Sequence, residues 1–179
     1  MMVYDANKSC KGDVLNWCRN NSKVEDAKIS DAFNSGNNMY HKGAKLEVPD
    51  YDIVPLEDYK NVPFGLNKIK SLNNDNCPKK GEVWVTQLFA DANKISLGDN
   101  LEFKINDKPV NLKVTSLIND SLQPSHILSK SILYVNKIDT LKFSSAGKTN
   151  YIFINTKKNV DVSELSKNLT SAIDVGGAT

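Results

Sequence analysis

The alternation of apolar and polar positions is clearest in the second half of the chain. Apolar residues recur with a period of two on two successive arms: Leu101, Phe103, Ile105, Val110, Leu112 and Val114. This period places alternate side chains on one face of a sheet. The polar segment Asn106–Lys108 between the arms has the composition of a tight turn. The pattern predicts a β-hairpin over residues 100–118 with one buried face.

Three segments have the 3.6-residue period of amphipathic helices: Lys11–Asn21, Thr86–Asn93 and Asp161–Ile173. Their predicted inner faces consist of Val14, Trp17 and Cys18, then Leu88, Phe89 and Ala92, then Leu165, Leu169 and Ile173. Asp13, Thr86 and either Asp161 or Ser163 have side chains that can accept hydrogen bonds from first-turn amides. The sequence therefore predicts three capped helices.

Short apolar runs predict further strands at Glu82–Val85, Ile132–Val135 and Tyr151–Asn155. Val24–Phe33 and Met39–Val48 are predicted to form a long hairpin around the turn at Asn34–Asn38, with a break near Lys42 and Gly43. Residues 49–78 contain four prolines and an Asn-rich patch. This stretch is predicted to be a loop, with one short helix near residues 66–72.

These elements together predict an α+β fold with two lobes. Residues 1–50 and 130–179 would form a strand–helix (porter-like) lobe built from both chain ends. Residues 51–129 would form an inserted β-rich (sabre-like) lobe with one helix. A chain of 179 residues is long enough for either one large domain or two such lobes.

Composition narrows the class of protein. The net charge is only +2, with 40% apolar and 25% charged residues, which is typical of a folded soluble chain and excludes a general nucleic-acid binder. The longest apolar runs fall far short of the roughly 20 residues that span a bilayer, and no signal-peptide core is present. Arg19 is the single arginine among many lysines and asparagines, a bias that indicates AT-rich codons and a low-GC bacterium.

Few residues offer catalytic chemistry. Both histidines, His41 and His126, are predicted to be surface or loop residues because neither has a metal-ligand partner at helical spacing. The three cysteines match no zinc spacing, and buried or free thiols are favoured over a disulfide between Cys10 and Cys18. A pair of Cys77 with His126 would be needed for a thiol enzyme. From these residues we predict no cofactor, no metal and no catalytic residue.

The proline-rich stretch offers two other kinds of surface. Four carboxylates in this stretch could form an acidic patch or a weak calcium site: Asp50, Asp52, Glu57 and Asp58. We expect a solvated acidic loop instead, because these residues lack the register of a calcium-binding loop. Its aromatic residues Tyr51, Tyr59 and Phe64 are not obviously needed for packing. They are the predicted partner-binding surface.

One segment resembles a known family. It starts with the turn at Pro78, Gly81 and Glu82, continues through a strand and a helix, and reaches a second turn at Gly98 and Asp99 before the hairpin. This order resembles the extracytoplasmic (MacB-like periplasmic core) domain of FtsX/MacB-type ABC transporter permeases. The resemblance covers most of the chain and is strongest over residues 78–118. None of its motif residues is catalytic; the glycines suit turns that need positive φ, and Asp99 can cap its own turn.

The resemblance implies a function. Such a domain lies on the extracellular side of the cell membrane and relays motion driven by a cytoplasmic ABC ATPase to an antimicrobial peptide, a lipoprotein or a cell-wall hydrolase. The family's membrane spans are expected to lie outside this chain, and Tyr51–Asn76 would be the variable recognition surface. The alternatives are a secreted or surface-attached ligand-binding module and, third, the Cys77–His126 enzyme.

Overall fold

The structure is a computed structural model that describes residues 2–5, 11–34, 36, 38–47, 51–56, 70–71, 77–119 and 131–173. Helices accompany a mixed sheet, and the predicted α+β class is confirmed. The described residues divide into two compact units. Unit 1 contains those up to Asp31 and those from Thr149 onwards, and unit 2 contains those from Ala32 to Lys148. The lobe boundaries predicted at residues 50/51 and 129/130 stay a prediction.

Unit 1 combines two helices with three strands. The elements are β1 (Met2–Asp5), α1 (Lys11–Asn20), β2 (Val24–Asn34), β11 (Gly147–Thr156) and α4 (Val162–Ala172), of which β2 and β11 continue past the unit boundary. The strands lie in the order β1–β11–β2, and Met2 pairs opposite Phe153 in an antiparallel register. The first and last helices both pack on this sheet through one aliphatic cluster: Val14, Cys18, Val24, Ile152, Ile154, Leu165 and Leu169.

The cap of α4 shows why this helix begins where it does. The Asp161 carboxylate accepts hydrogen bonds from the backbone N–H groups of Ser163 (2.9 Å) and Glu164 (3.1 Å). These are donors that the helix itself leaves without an acceptor. Leu165 and Leu169 are then fully buried, one turn apart. The predicted helices at both ends of the chain are confirmed. The predicted N-cap Asp13 is wrong, because α1 begins at Lys11 and Asp13 lies within its first turn.

Unit 2 contains the larger part of the sheet. Its strands are β3 (Met39–His41), β4 (Ala44–Lys45), β5 (Tyr51–Pro55), β6 (Lys70–Ser71), β7 (Glu82–Thr86), β8 (Asn100–Ile105), β9 (Lys108–Asn119) and β10 (Ser131–Val135). They lie in the order β5–β10–β7–β9–β8–β3–β4, with β6 paired to β9. Helices α2 (Gln87–Asn93) and α3 (Lys137–Thr140) follow β7 and β10, and α3 continues into a 3₁₀ turn at Leu141–Phe143.

The predicted hairpin is confirmed as β8 and β9. Leu101 pairs with Leu112 and Phe103 with Val110, and the predicted inner side chains are all buried. Asn106 and Asp107 have φ of 48° and 62°, the left-handed values of a two-residue hairpin turn. Period-two alternation was informative here because the outer face of this hairpin is solvated.

Strand β5 corrects the prediction that residues 49–78 form a loop. It runs parallel to β10, with Ile53 opposite Leu133, and its first four residues are buried. A strand that is covered on both faces shows no alternation, so its sequence lacks the pattern from which strands are predicted. The short helix predicted near residues 66–72 is wrong at Lys70 and Ser71, which form β6; residues 66–69 and 72 lie outside the described residues.

The first predicted hairpin is also wrong. Strand β3 pairs with β8, with Met39 opposite Phe103, and with β4 through the turn at Lys42 and Gly43. The end of β2 pairs instead with β5, with Phe33 opposite Ile53. Burial explains why β3 pairs with β8 and not with β2, since Met39 is fully buried beside Phe103 in the core of unit 2.

Helix α2 is capped by Thr86 as predicted, but its inner face differs. Thr86 Oγ1 accepts a hydrogen bond from Phe89 N at 3.2 Å. Phe89 and Ala90 are buried, whereas Leu88 is 59% exposed and Ala92 is exposed. A helix of seven residues has less than two full turns. Its apolar positions repeat too few times for the spacing to determine which side is buried.

Candidate functional site

The aromatic residues proposed as a binding surface fall in two different settings. Tyr51 is fully buried in β5, and its ring packs edge-on against Phe103 with 5.8 Å between the ring centroids. The prediction that Tyr51 faces a partner is therefore wrong. Tyr51 belongs to a strand that is buried on both faces, and its ring packs in the core of unit 2. Tyr59 and Phe64 lie outside the described residues, and their role stays a prediction.

The turn before β7 is fastened to the segment after β10. Gly81 has φ of 84°, which favours glycine. Its N–H donates to Asp139 Oδ2 at 2.6 Å, and Asn136 Nδ2 donates to the carbonyl of Pro78 at 3.2 Å. Asp139 is fully buried, and Lys142 Nζ lies 2.6 Å from its other carboxylate oxygen in an ion pair. A buried carboxylate thus fixes this turn against α3.

Glu82 holds the same turn from the other side. Its Oε2 atom accepts from the backbone N–H of Lys79 at 2.9 Å and from Thr115 Oγ1 at 3.2 Å. The carbonyl of Gly81 accepts from Lys113 N on β9. The motif residues Pro78, Gly81 and Glu82 therefore have structural partners in two neighbouring segments, β9 and the segment after β10.

The second motif turn is organised by one carboxylate. Asp99 Oδ2 accepts from the backbone N–H of Ser96 at 2.9 Å, as the sequence predicted for a residue that caps its own turn. It also lies 2.8 Å from His41 Nε2 and 3.3 Å from Lys42 Nζ. Gly98 has φ of 88°, and its N–H donates to the carbonyl of Val114 at 2.8 Å. Asp99 thereby connects the β3–β4 turn to the start of β8.

These contacts change the acidity of Asp99. The hydrogen bond from Ser96 N, followed by those from His41 and Lys42, holds the pKa of Asp99 below its ordinary value of 3.8. Partial burial acts in the opposite direction and is outweighed. Asp99 is therefore an anion at neutral pH, with several donors around it.

His41 is placed differently from the prediction. It was expected at a solvated hairpin tip, but its side chain is only 7% exposed. The register of β3 puts His41 opposite Leu101, on the buried side of the sheet. A buried ring nitrogen needs a hydrogen-bonding partner, and Asp99 supplies it.

A polar concavity of about 440 Å³ lies on unit 2 beside the β3–β4 turn and the Gly98–Asp99 turn. It is lined by Tyr40, Lys42, Gly43, Gly98, Asp99, Asn100, Glu102, Lys104 and Asn111. Lys104 Nζ lies 4.2 Å from the centroid of the Tyr40 ring and 4.0 Å from Glu102. The lining residues include a His41-bonded carboxylate but no cysteine, serine or threonine that this pair could activate. The arrangement is suited to binding and to fixing turns.

The other sequence-predicted residues are not brought together by the described part of the chain. Cys77 is partly buried, while His126 lies outside the described residues. Asp52 is buried in β5 and accepts from Asn34 Nδ2 at 3.3 Å, and its expected acidic neighbours lie outside the described residues. No group of three metal-ligating side chains occurs among the described residues.

Asp139 and His41 bind the two motif turns, and the sequence did not predict this role for either residue. Each binds a turn residue 58 positions away in the chain. Asn136 before α3 is a helix-capping residue, and its Oδ1 accepts from Ile138 N at 3.0 Å. That cap was the one local signal for α3, but a four-residue helix carries no periodicity to support it.

The fold is shared with a solved structure, the periplasmic region of MacB from Actinobacillus actinomycetemcomitans. The two chains are 13% identical, the match covers 95% of this chain and 80% of that chain, and the TM-score is 0.50. This likeness confirms the fold that the resemblance predicted, and at this identity it concerns the fold alone.

A second similar structure is the extracellular domain of the noncanonic ABC-type transporter YknZ from Gram-positive bacteria. It is 11% identical, the match covers 98% of this chain and 96% of that chain, and the TM-score is 0.46. No protein-family model and no curated protein sequence matches the chain. Among the described helices, none is long and apolar enough to span a bilayer.

Proposed function

We propose that this chain is the extracellular domain of an FtsX/MacB-like ABC transporter permease and that it breaks no bonds itself. The observation that carries the proposal is the fold shared with the MacB periplasmic region over 95% of the chain. The motif turns that first suggested the family support it, since Gly81 and Gly98 both adopt left-handed φ. Both turns are bound to residues far away in sequence.

The arrangement of unit 1 also supports the proposal. A domain held between two membrane spans must receive force through both ends of its chain. Here β1 pairs with β11, and α4 packs on Ile152 and Ile154 of the same strand. The first and last described segments therefore belong to one small unit, which suits a domain attached at both ends.

The proposed mechanism is a relay of motion driven by a cytoplasmic ABC ATPase. Packed cores and hydrogen-bonded turns move as bodies and deform little. In unit 2 the Asp139 contact ties the Gly81 turn to α3, and the Asp99 contacts tie the β3–β4 turn to the start of β8, so a displacement of unit 2 is passed to these turns. The recipient would be an antimicrobial peptide, a lipoprotein or a cell-wall hydrolase.

Labelling of intact cells tests the location. Lys108 is exposed at the tip of the β8–β9 turn, so Lys108→Cys provides a reactive thiol in unit 2. Cys10→Ser and Cys77→Ser remove two natural thiols, and the buried Cys18 serves as the internal control. A membrane-impermeant maleimide should label Lys108→Cys in intact cells, and the labelled protein should remain in washed membranes.

Two results would contradict the proposal. Labelling that requires cell lysis would place the chain inside the cell. Labelled protein released into the medium would favour the secreted ligand-binding module.

A further inference from the structure

Helix α3 and its 3₁₀ extension present apolar side chains to solvent. Ile138 is 57% exposed and Leu141 is 70% exposed. They are three positions apart and so lie beside each other on one helical turn. Large aliphatic side chains with this exposure, next to each other, are characteristic of a contact site.

The orientation of this pair is fixed by what lies beneath it. Asp139 and Thr140, the two residues between them, are buried. Asp139 binds the Gly81 N–H, and Thr140 Oγ1 donates to the carbonyl of Lys137 at 2.6 Å. The turn cannot roll to cover Ile138 and Leu141 without breaking the bond between Gly81 and Asp139.

Four exposed lysines lie near the apolar pair. Lys137 and Lys142 flank it in sequence, and both are exposed. The bonds from Asn136 to Pro78 and from Gly81 to Asp139 bring the exposed Lys79 and Lys80 to the same region. Asp139, buried below and paired with Lys142, offsets part of this charge.

We propose that these residues form a basic–apolar surface that docks onto an anionic lipid bilayer: Lys79, Lys80, Lys137, Ile138, Leu141 and Lys142. Aliphatic side chains enter the boundary between headgroups and acyl chains, while lysines reach lipid phosphates on flexible stems. The proposal goes beyond the transporter function, because it concerns the isolated chain and a lipid surface.

The composition of the surface favours a bilayer over a protein partner. The centres of protein interfaces are enriched in aromatic residues, methionine and arginine and depleted in lysine. The basic–apolar surface has two aliphatic residues among four lysines and contains no aromatic residue and no methionine. A bilayer also requires no preformed complementary shape.

Vesicle sedimentation with the purified 179-residue chain tests the proposal. The chain should bind vesicles of phosphatidylglycerol and phosphatidylcholine but not vesicles of phosphatidylcholine alone, and added salt should weaken the binding. The double variant Ile138→Ser/Leu141→Ser should reduce the partition coefficient at least about tenfold. Lys79→Ala, Lys80→Ala and Lys137→Ala should each reduce it about fivefold.

Matched controls use the same residue types elsewhere on unit 2. Leu88 is 59% exposed on α2, three residues before Asp91, and Lys108 is exposed at the start of β9. Leu88→Ser and Lys108→Ala should leave vesicle binding unchanged. All substituted side chains are exposed, so thermal unfolding should be the same in every variant.

Fluorescence provides a second readout of the same contact. A Leu141→Trp variant should shift its emission to shorter wavelength with anionic vesicles, whereas Leu88→Trp should not. The proposal is overturned if the chain ignores anionic vesicles at low salt, or if Ile138→Ser/Leu141→Ser binds like the natural chain. Self-association that depends on Ile138 and Leu141, without vesicle binding, would also overturn it and assign the surface to a second copy of the chain. None of these results depends on where the protein resides in the cell.

Discussion

The cluster that packs the helices of unit 1 and the core of unit 2 are built from different kinds of side chain. Among the described residues, the buried cluster that packs the two helices of unit 1 on its sheet is aliphatic apart from the Cys18 thiol, and the buried rings of Tyr151 and Phe153 lie outside this cluster. The cluster of unit 2 contains a row of aromatic rings: Phe103 packs edge-on against Tyr51 at 5.8 Å and against Phe143 at 5.4 Å. These rings come from β5, β8 and the 3₁₀ turn, so they connect distant parts of the chain.

This difference indicates a division of labour between the units. Edge-to-face aromatic contacts prefer particular angles and add free energy beyond the area they bury. They suit unit 2, in which the Gly81 and Asp99 turns are bonded to residues distant in sequence. An aliphatic cluster between helices and strands is less directional, and unit 1 needs it only to keep the two terminal segments on one sheet.

The largest expected effect comes from removing the central ring of unit 2. Phe103→Ala should lower the free energy of unfolding by about 4–5 kcal/mol, because it leaves a cavity and removes both ring contacts. Leu169→Ala in unit 1 should lower it by about 3 kcal/mol. Chemical denaturation measures both values.

The exposed Leu88 provides the control for this pair. Leu88→Ala should change the free energy of unfolding by less than about 0.5 kcal/mol. Equal losses for Phe103→Ala and Leu169→Ala would show that the aromatic row adds nothing. A loss below about 1 kcal/mol for Phe103→Ala would be incompatible with the β8–β9 register.

A smaller effect distinguishes the cores by pH. Burial raises the pKa of the Cys18 thiol from 9.0 to about 11. Because the folded state keeps this proton, the contribution of Cys18 to stability is complete below about pH 9 and is lost as the pH rises towards 11. The natural chain should lose about 1–2 kcal/mol more than Cys18→Val over that range, after allowance for screening by nearby solvent. Parallel pH profiles of the two proteins, measured by denaturation, would contradict this.

The smallest effects should not differ between the units. Asp161 caps α4 in unit 1, and Thr86 caps α2 in unit 2, each by accepting backbone hydrogen bonds. Asp161→Ala and Thr86→Ala should each cost about 1 kcal/mol of unfolding free energy. Asp161→Asn should retain most of the stability of the natural chain. Markedly unequal losses of unfolding free energy in the two alanine variants would show that the units also differ in how their helices are capped.

Local patterns were sufficient for the elements with one solvated face. The β8–β9 hairpin and helix α4 were predictable because their buried side chains recur at the spacing of a strand or a helix. Strand β5 was missed because both of its faces are covered, and Asp52 within it is buried with Asn34 as a partner. A short apolar run between prolines does not distinguish such a strand from a loop.

The candidate site was predictable only in its turns. Gly81, Gly98 and the self-capping Asp99 could be inferred from local chemistry, and the structure shows the expected φ values and the Ser96 bond. The residues that fasten these turns, Asp139 and His41, are distant in sequence. Their roles depend on strand register: β3 pairs with β8, and β10 pairs with β7. A single sequence does not reveal such register.

The relay of motion is best tested in native membranes that contain the natural gene product with its ATPase. A dye on Lys108→Cys, in the Cys10→Ser/Cys77→Ser background, would transfer energy to acceptor lipids in the bilayer. We predict that ATP changes the transfer efficiency and that an ATPase unable to hydrolyse ATP abolishes the change. The same efficiency with and without ATP, in membranes that hydrolyse it, would contradict the proposal that this chain relays ATPase-driven motion.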